Sequence, residues 1–144
     1  MYYEVTIRHD MLTDKNQVKS QSDKIIVSNV NLFAEAECKA LEYAASERKA
    51  DNLENEPDVT FIKRSRIMEF ANTKDKGEKI YIAKLDCLSI DVGSGNEKHI
   101  KYSVGIYADD ITQANSACQE YMRQGMTGLT LTDLNETKFL SVIE

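Results

Sequence analysis

The densest positive charge in the chain lies in "IKRSRIMEF", residues 62–70, where Lys63, Arg64 and Arg66 sit in an apolar frame of Ile62, Ile67, Met68 and Phe70. Cations spaced like this along a strand can neutralise successive phosphates, and aromatic rings beside them can stack on bases. If Val59 and Phe61 point inward, strand alternation turns Ile62, Arg64 and Arg66 the other way. The same outward face of the first strand carries Tyr2, Glu4, Thr6 and Arg8. With the two strands as neighbours, Arg8, Arg64 and Arg66 form a cationic stripe, Lys63 lies next to it and Tyr2 marks its edge. A solvated edge that discourages strand pairing accounts for the same charges without a ligand.

Other chemistry is sparse. His9 and His99 are isolated, with no second histidine at metal-binding spacing, and no serine or cysteine stands in a nucleophile motif. "VGSGNEK" has two glycines after a strand, but no Gly-Lys-Ser/Thr follows, so it reads as a hairpin tip. Asp86, Asp91, Asp109 and Asp110 match no calcium loop, and the last two stand where helix caps belong. The expectation is a non-enzymatic protein with no catalytic residue, metal or cofactor. Tyr3 with Tyr81, and Tyr43 with Tyr121, occupy matched places and read as core. Tyr2, Tyr102 and Tyr107 have no aromatic counterparts.

The elements that must position these residues follow from composition and periodicity. A chain of 144 residues, 42% hydrophobic and 29% charged, is one ordinary domain rather than a disordered segment. Its net charge of −6 argues against general attraction to nucleic acid or anionic membrane, and leaves room for a local basic patch. No apolar run reaches membrane-spanning length, and "MYYEVTIRHD" lacks a signal-peptide pattern. Three widely spaced cysteines, Cys38, Cys87 and Cys118, fit reduced, mostly buried thiols in a cytoplasm.

The chain resembles itself at an offset of 78 residues. Tyr3, Val5 and Ile7 fall on Tyr81, Ala83 and Leu85; Ile26 falls on Val104; "FAEAECKALEY" falls on "ITQANSACQEY". After the helices the register slips by eight, and "VTFIKRSRIMEF" lies over "LTLTDLNETKFL". The expected fold is α+β: a tandem duplication of a ββαβ unit, antiparallel sheet or sheets with two helices, related by a pseudo-two-fold axis. The repeats span 1–70 and 79–144, joined by a linker at 71–78, within a single domain over 1–144. The first helix is expected to start at an Asn31 cap and to run to about Lys49, ending before "DNLENEPD". The second is expected to open at Asp109 or Asp110 and to close at a left-handed Gly125. "DMLTDKNQVKSQS" reads as a long polar loop.

"IKRSRIMEF", "NETKFLSVI" and "YMRQGMTG" resemble motifs of an uncharacterised family of short two-repeat proteins. That family occurs in Bacteroides-type gut bacteria and in their phages, including crAss-like ones. The likeness covers nearly the whole chain and departs from the pattern at "KIYI", where an aromatic pair belongs. It implies a phage or mobile-element protein working in the bacterial cytoplasm, and implies no chemistry.

Two functions stand beside each other. One is a single-strand nucleic-acid-binding protein, DNA before RNA, using Arg8, Lys63, Arg64, Arg66 and Tyr2. The other is a protein-interaction module, a virion component or an inhibitor of a host or defence protein. An exposed Ile80, Ile82 and Leu88 set would favour the second. Either allows a homo-oligomer, and neither involves a membrane.

Overall fold

The computed structural model describes residues 1–12, 14–47, 56–125 and 128–144. It is a mixed α/β protein with two helices and two four-stranded sheets. In chain order the elements are β1 (Tyr3–Leu12), β2 (Val18–Val27), α1 (Phe33–Glu47), β3 (Asp58–Arg64), β4 (Ile67–Phe70), β5 (Lys79–Ile90), β6 (Glu97–Ala108), α2 (Ile111–Gln124), β7 (Leu129–Glu136) and β8 (Phe139–Ile143). The strand order is β3-β1-β2-β8 in one sheet and β4-β6-β5-β7 in the other. Two compact units result: Met1–Ser65 with Phe139–Glu144, and Arg66–Lys138.

In the first unit the alternation of β1 sends Tyr3, Val5 and Ile7 to one face, where Ile25 and Val27 of β2 meet Ala36 and Ala40 of α1. Small residues on the inner stripe of α1 let it lie close to the sheet. The Tyr3 hydroxyl donates to the Asn31 carbonyl oxygen at 2.9 Å, and the Tyr3 ring meets Phe33 edge-on at 5.1 Å. Asn31 thus acts through its backbone, whose N–H also donates to Glu35 Oε2 at 3.2 Å. The second unit builds its core from Tyr81, Ala83, Leu85, Val104, Ile106, Ala114 and Cys118. Asp110 caps α2 as its sequence position predicts, Oδ1 accepting from the Gln113 N–H at 2.8 Å. Tyr43 and Tyr121 are half-buried against the two cores rather than enclosed in them.

Four sequence expectations need correction. "IKRSRIMEF" is not one strand: it breaks at Ser65–Arg66, so β3 belongs to the first sheet and β4 to the second. β7 and β8 divide in the same way, and each unit is ββα followed by two strand segments that join different sheets. Nor are the sheets wholly antiparallel, since β2–β8 and β4–β6 pair in parallel. No hairpin brings those fourth strands in, and only hairpin-linked neighbours must run antiparallel. The loop expected over residues 10–22 is largely strand, because β1 and β2 continue as a solvated ribbon held by backbone pairing out to Leu12↔Val18. Gly125 is extended rather than left-handed (φ −90°), although its N–H still closes the helix on the Tyr121 carbonyl at 3.1 Å. The expected α1 end near Lys49 and most of the break at 51–58 lie outside the described residues.

The two units share a pairing plan at offsets that differ from the sequence alignment. β1 and β5 correspond at 78, β2 and β6 at 79 (Val27 to Ile106), and β3 and β7 at 72 (Ile62 to Leu134). The later register therefore slips by six rather than eight, and Ile25, not Ile26, stands where Val104 does. Both breaks carry the same bond: the Ser65 N–H donates to the Tyr2 carbonyl at 2.8 Å, and the Thr137 N–H to the Ile80 carbonyl at 2.9 Å.

Where Ile26 faces Val142 in the first unit, Gly105 faces Phe70 in the second. A Cβ on Gly105 would come within 2.5 Å of the Phe70 ring, which stacks on Tyr107 at 4.8 Å. One unit fills this position with two aliphatic side chains, the other with one large ring over a glycine.

Candidate nucleic-acid interface

One bulge decides which side chains reach solvent on β3. Thr6 pairs with Phe61 and Ile7 with Val59, so Thr60 is the extra residue. Its Oγ1 lies 3.4 Å from the Thr6 carbonyl oxygen. Past a bulge the alternation is inverted. Val59 and Ile62 both pack against the core, while Phe61 turns outward and is 55% exposed. The second unit repeats the device: Thr132 is skipped between Leu131 and Asp133, and its Oγ1 donates to the Lys84 carbonyl at 3.0 Å.

Residues directly opposite in an antiparallel ladder share a face. Away from α1, the first sheet therefore presents three rows. Lys63 and Glu4 form one together with Ile26 and Val142, which are buried; Phe61, Thr6, Lys24 and Phe139 form the next; Asp58, Arg8 and Ser22 the third. The exposed Phe61 ring stands on the edge strand, within a frame of the exposed cations Lys63, Lys24 and Arg8. Lys63 Nζ is 3.6 Å from Glu4 Oε2, which holds the ammonium over the sheet.

This arrangement redraws the stripe expected from sequence. Lys63, Arg8 and Tyr2 do lie on the outward face, with Tyr2 half-buried at its end. Arg64 pairs with Tyr3 and so projects on the side that carries α1, opposite to Arg8. Arg66 is exposed beyond the break and opens the second unit. Phe61 and Lys24 were the residues missed. Unbroken alternation after Val59 turns Phe61 inward, and no motif marks Lys24, which stands between Asp23 and Ile25 on β2. A threonine at the same place in both halves is the one sequence signal for the bulge.

The electrostatics change along the face. Toward the ribbon end, a concavity of about 460 Å³ is lined by Arg8, His9, Asp10, Ser20, Glu56, Pro57 and Asp58. Three carboxylates against one arginine make that end unfavourable for phosphate, and His9 Nε2 is already 2.5 Å from Asp23 Oδ2. The positions of Phe61, Thr6 and Lys24 are taken in the second unit by Asp133, Lys84 and Ser103, with Lys84 Nζ 3.9 Å from Asp133. The exposed ring is thus confined to one unit, and the cation at this place in the second unit, Lys84, is paired with a carboxylate.

In the second unit the Tyr121 hydroxyl donates to Glu69 Oε1, tying α2 to β4. Burial, and then the Glu69 carboxylate beside it, push the Tyr121 phenol well above the ordinary tyrosine range; burial also raises Tyr102. Among the described residues, no three His, Cys, Asp or Glu side chains gather as a metal site, and no helix is long and apolar enough to cross a membrane.

No curated protein and no solved structure matches the chain. One family model matches residues 1–144 along their whole length, and the chain belongs to that family, Domain of unknown function (DUF4494).

Proposed function

We propose that this protein is a non-enzymatic module that binds single-stranded nucleic acid, DNA before RNA, on the outward face of the first sheet. The carrying observation is Phe61: a ring left 55% exposed on an edge strand, on the same face as Lys63, Lys24 and Arg8. Exposed rings of this kind stack on any base, and the cations beside them neutralise the phosphates that follow. A local patch of this size is compatible with a chain of net charge −6. The resemblance to proteins of Bacteroides-type bacteria and their crAss-like phages supports a cytoplasmic role in phage or mobile-element replication or transcription. The recurring pairing plan, bulge and break bonds support descent from tandem duplication of one ββαβ unit, with the ring-bearing face kept or gained in one copy.

The test is anisotropy of a labelled oligothymidylate at low salt. Binding should weaken with salt at about −0.7 in log–log slope per phosphate neutralised. Absence of binding to both DNA and RNA strands at low salt would remove this reading. A protein-interaction module, a virion component or an inhibitor of a host or defence protein, is the second reading. It is favoured by the exposed Leu88, Ile90, Val92 and Ile100 of the β5–β6 hairpin. Of the residues named from sequence for that reading, Ile80 is buried, Ile82 half-buried and only Leu88 exposed.

A further inference from the structure

The ribbon end of the ring-bearing face is a concavity of about 460 Å³, within the ~300–1,000 Å³ of small-ligand sites. Two of its lining residues stand directly opposite each other in the ladder, Arg8 on β1 and Asp58 on β3. Their Cβ atoms are therefore about 5 Å apart. Both side chains are exposed, and among the described residues neither makes a hydrogen bond or an ion pair. A guanidinium fork and a carboxylate thus lie side by side and unspent. They are one row from the exposed Phe61 ring: Arg8 follows Thr6, the partner of Phe61, by two residues, roughly 7 Å along the strand.

The lining limits what can enter. Asp10 and Glu56 stand on the same wall as Asp58 and repel phosphate, while Arg8 repels a cation or a basic side chain. A neutral, planar group that offers both acceptors and donors satisfies both walls. Bases are such groups, and in an unpaired strand their hydrogen-bonding edges are open. Guanine alone sets two adjacent acceptors, O6 and N7, beside two adjacent donors, N1–H and the N2 amino group. An arginine fork donates to O6 and N7 together, the commonest base-specific contact. The two guanine N–H groups then donate to a single carboxylate.

We propose that Arg8 and Asp58 read a guanine of the bound strand, the base stacking on Phe61 and turning its polar edge into the concavity. This rests on the single-strand reading above and adds a base preference to it. Lys63 and Lys24 are left to the phosphates, and Arg8 is assigned to the base. The second unit has no such pair. By the β1–β5 and β3–β7 correspondence, Asp86 stands at the place of Arg8 and Thr130 at that of Asp58.

Anisotropy of a short labelled oligothymidylate tests it, with the central base replaced in turn by guanine, adenine or cytosine. Guanine should tighten binding about tenfold or more over thymine, as a bidentate contact discriminates, and the other two should not. Asp58→Ala should bring that ratio close to one and strengthen binding of the all-thymine oligomer slightly, since a repelling charge is gone. Arg8→Lys keeps the charge but loses the fork, and should lower the ratio as well. Both side chains are exposed, so circular dichroism of the variants should match the wild type. Equal binding of all four oligomers, or a preference for adenine or cytosine, overturns the inference while the single-strand reading stands on its salt slope. A guanine preference that survives both substitutions overturns it too. Guanosine monophosphate displacing the guanine oligomer at equal concentration would make a free nucleotide the ligand and overturn the strand as its source. Binding of no oligomer at low salt removes this inference and the single-strand reading together.

Discussion

Thr60 lies between two residues that both pair with β1, and its hydroxyl sits 3.4 Å from the carbonyl oxygen of Thr6. That relationship decides whether Phe61 or Ile62 belongs to the core. Unbroken alternation would put the ring inside and Ile62, with Arg64, in water.

The contrast is measurable as stability. Ile62→Ala should cost about 2 kcal/mol, the low end for a half-buried aliphatic truncation. Phe61→Ala should change stability by no more than about 0.5 kcal/mol, as exposed substitutions do. Urea unfolding of both variants settles the matter, and equal losses would mean that the bulge is misplaced.

The same variant separates fold from binding. If the ring stacks on a base, Phe61→Ala should weaken oligothymidylate binding by about 1–3 kcal/mol while melting as the wild type does. Lys24→Ala and Lys63→Ala should each flatten the salt slope by about 0.7. Arg64→Ala, on the opposite face, should leave both quantities nearly unchanged. A larger effect from Arg64 than from Lys63 would return the interface to the stripe first expected from alternation.

Gly105 offers a packing test. Gly105→Ala places a methyl against the Phe70 ring and should destabilise by about 1–3 kcal/mol, as overpacking does. Backbone strain plays no part, since the loss comes from the ring. Combining Gly105→Ile with Phe70→Val copies the Ile26 and Val142 pair of the first unit. The double variant should recover much of the stability that Gly105→Ile alone loses. Additive losses would show that the two sites are not exchangeable solutions of one packing problem.

Tyr121 sets a pH dependence. Its folded-state value lies above the ordinary tyrosine value of about 10, because burial and the Glu69 carboxylate both oppose the phenolate. A group raised on folding contributes fully below its unfolded value and loses that contribution as pH climbs through the folded one. Stability should therefore be level near neutrality and should fall from about pH 10 upward. Tyr121→Phe should make that alkaline fall shallower, leaving the share due to Tyr102. A fall of equal steepness in the variant, followed by melting temperature, would show that Tyr121 is not the group responsible.

Periodicity and local hydrogen bonding were legible in the sequence, and both are properties of contiguous residues. Tyr3, Val5 and Ile7 on one face of β1, the small-residue stripe of Ala36 and Ala40, the Asp110 cap and the placing of each helix after a pair of strands all follow from side chains a few positions apart. The tertiary structure alone decided three things. One residue of bulge at Thr60 moved Phe61 and Lys63 to the outward face and Arg64 away from it. The break at Ser65 sent β4 to β6 rather than extending β3 along β1, and the same happens where β8 joins β2. The polar stretch after Leu12 became strand because β1 was there to pair with it. Each depends on backbone N–H and C=O groups finding partners far along the chain. Those groups are the same in every residue except proline, so the side-chain pattern does not show where they bond.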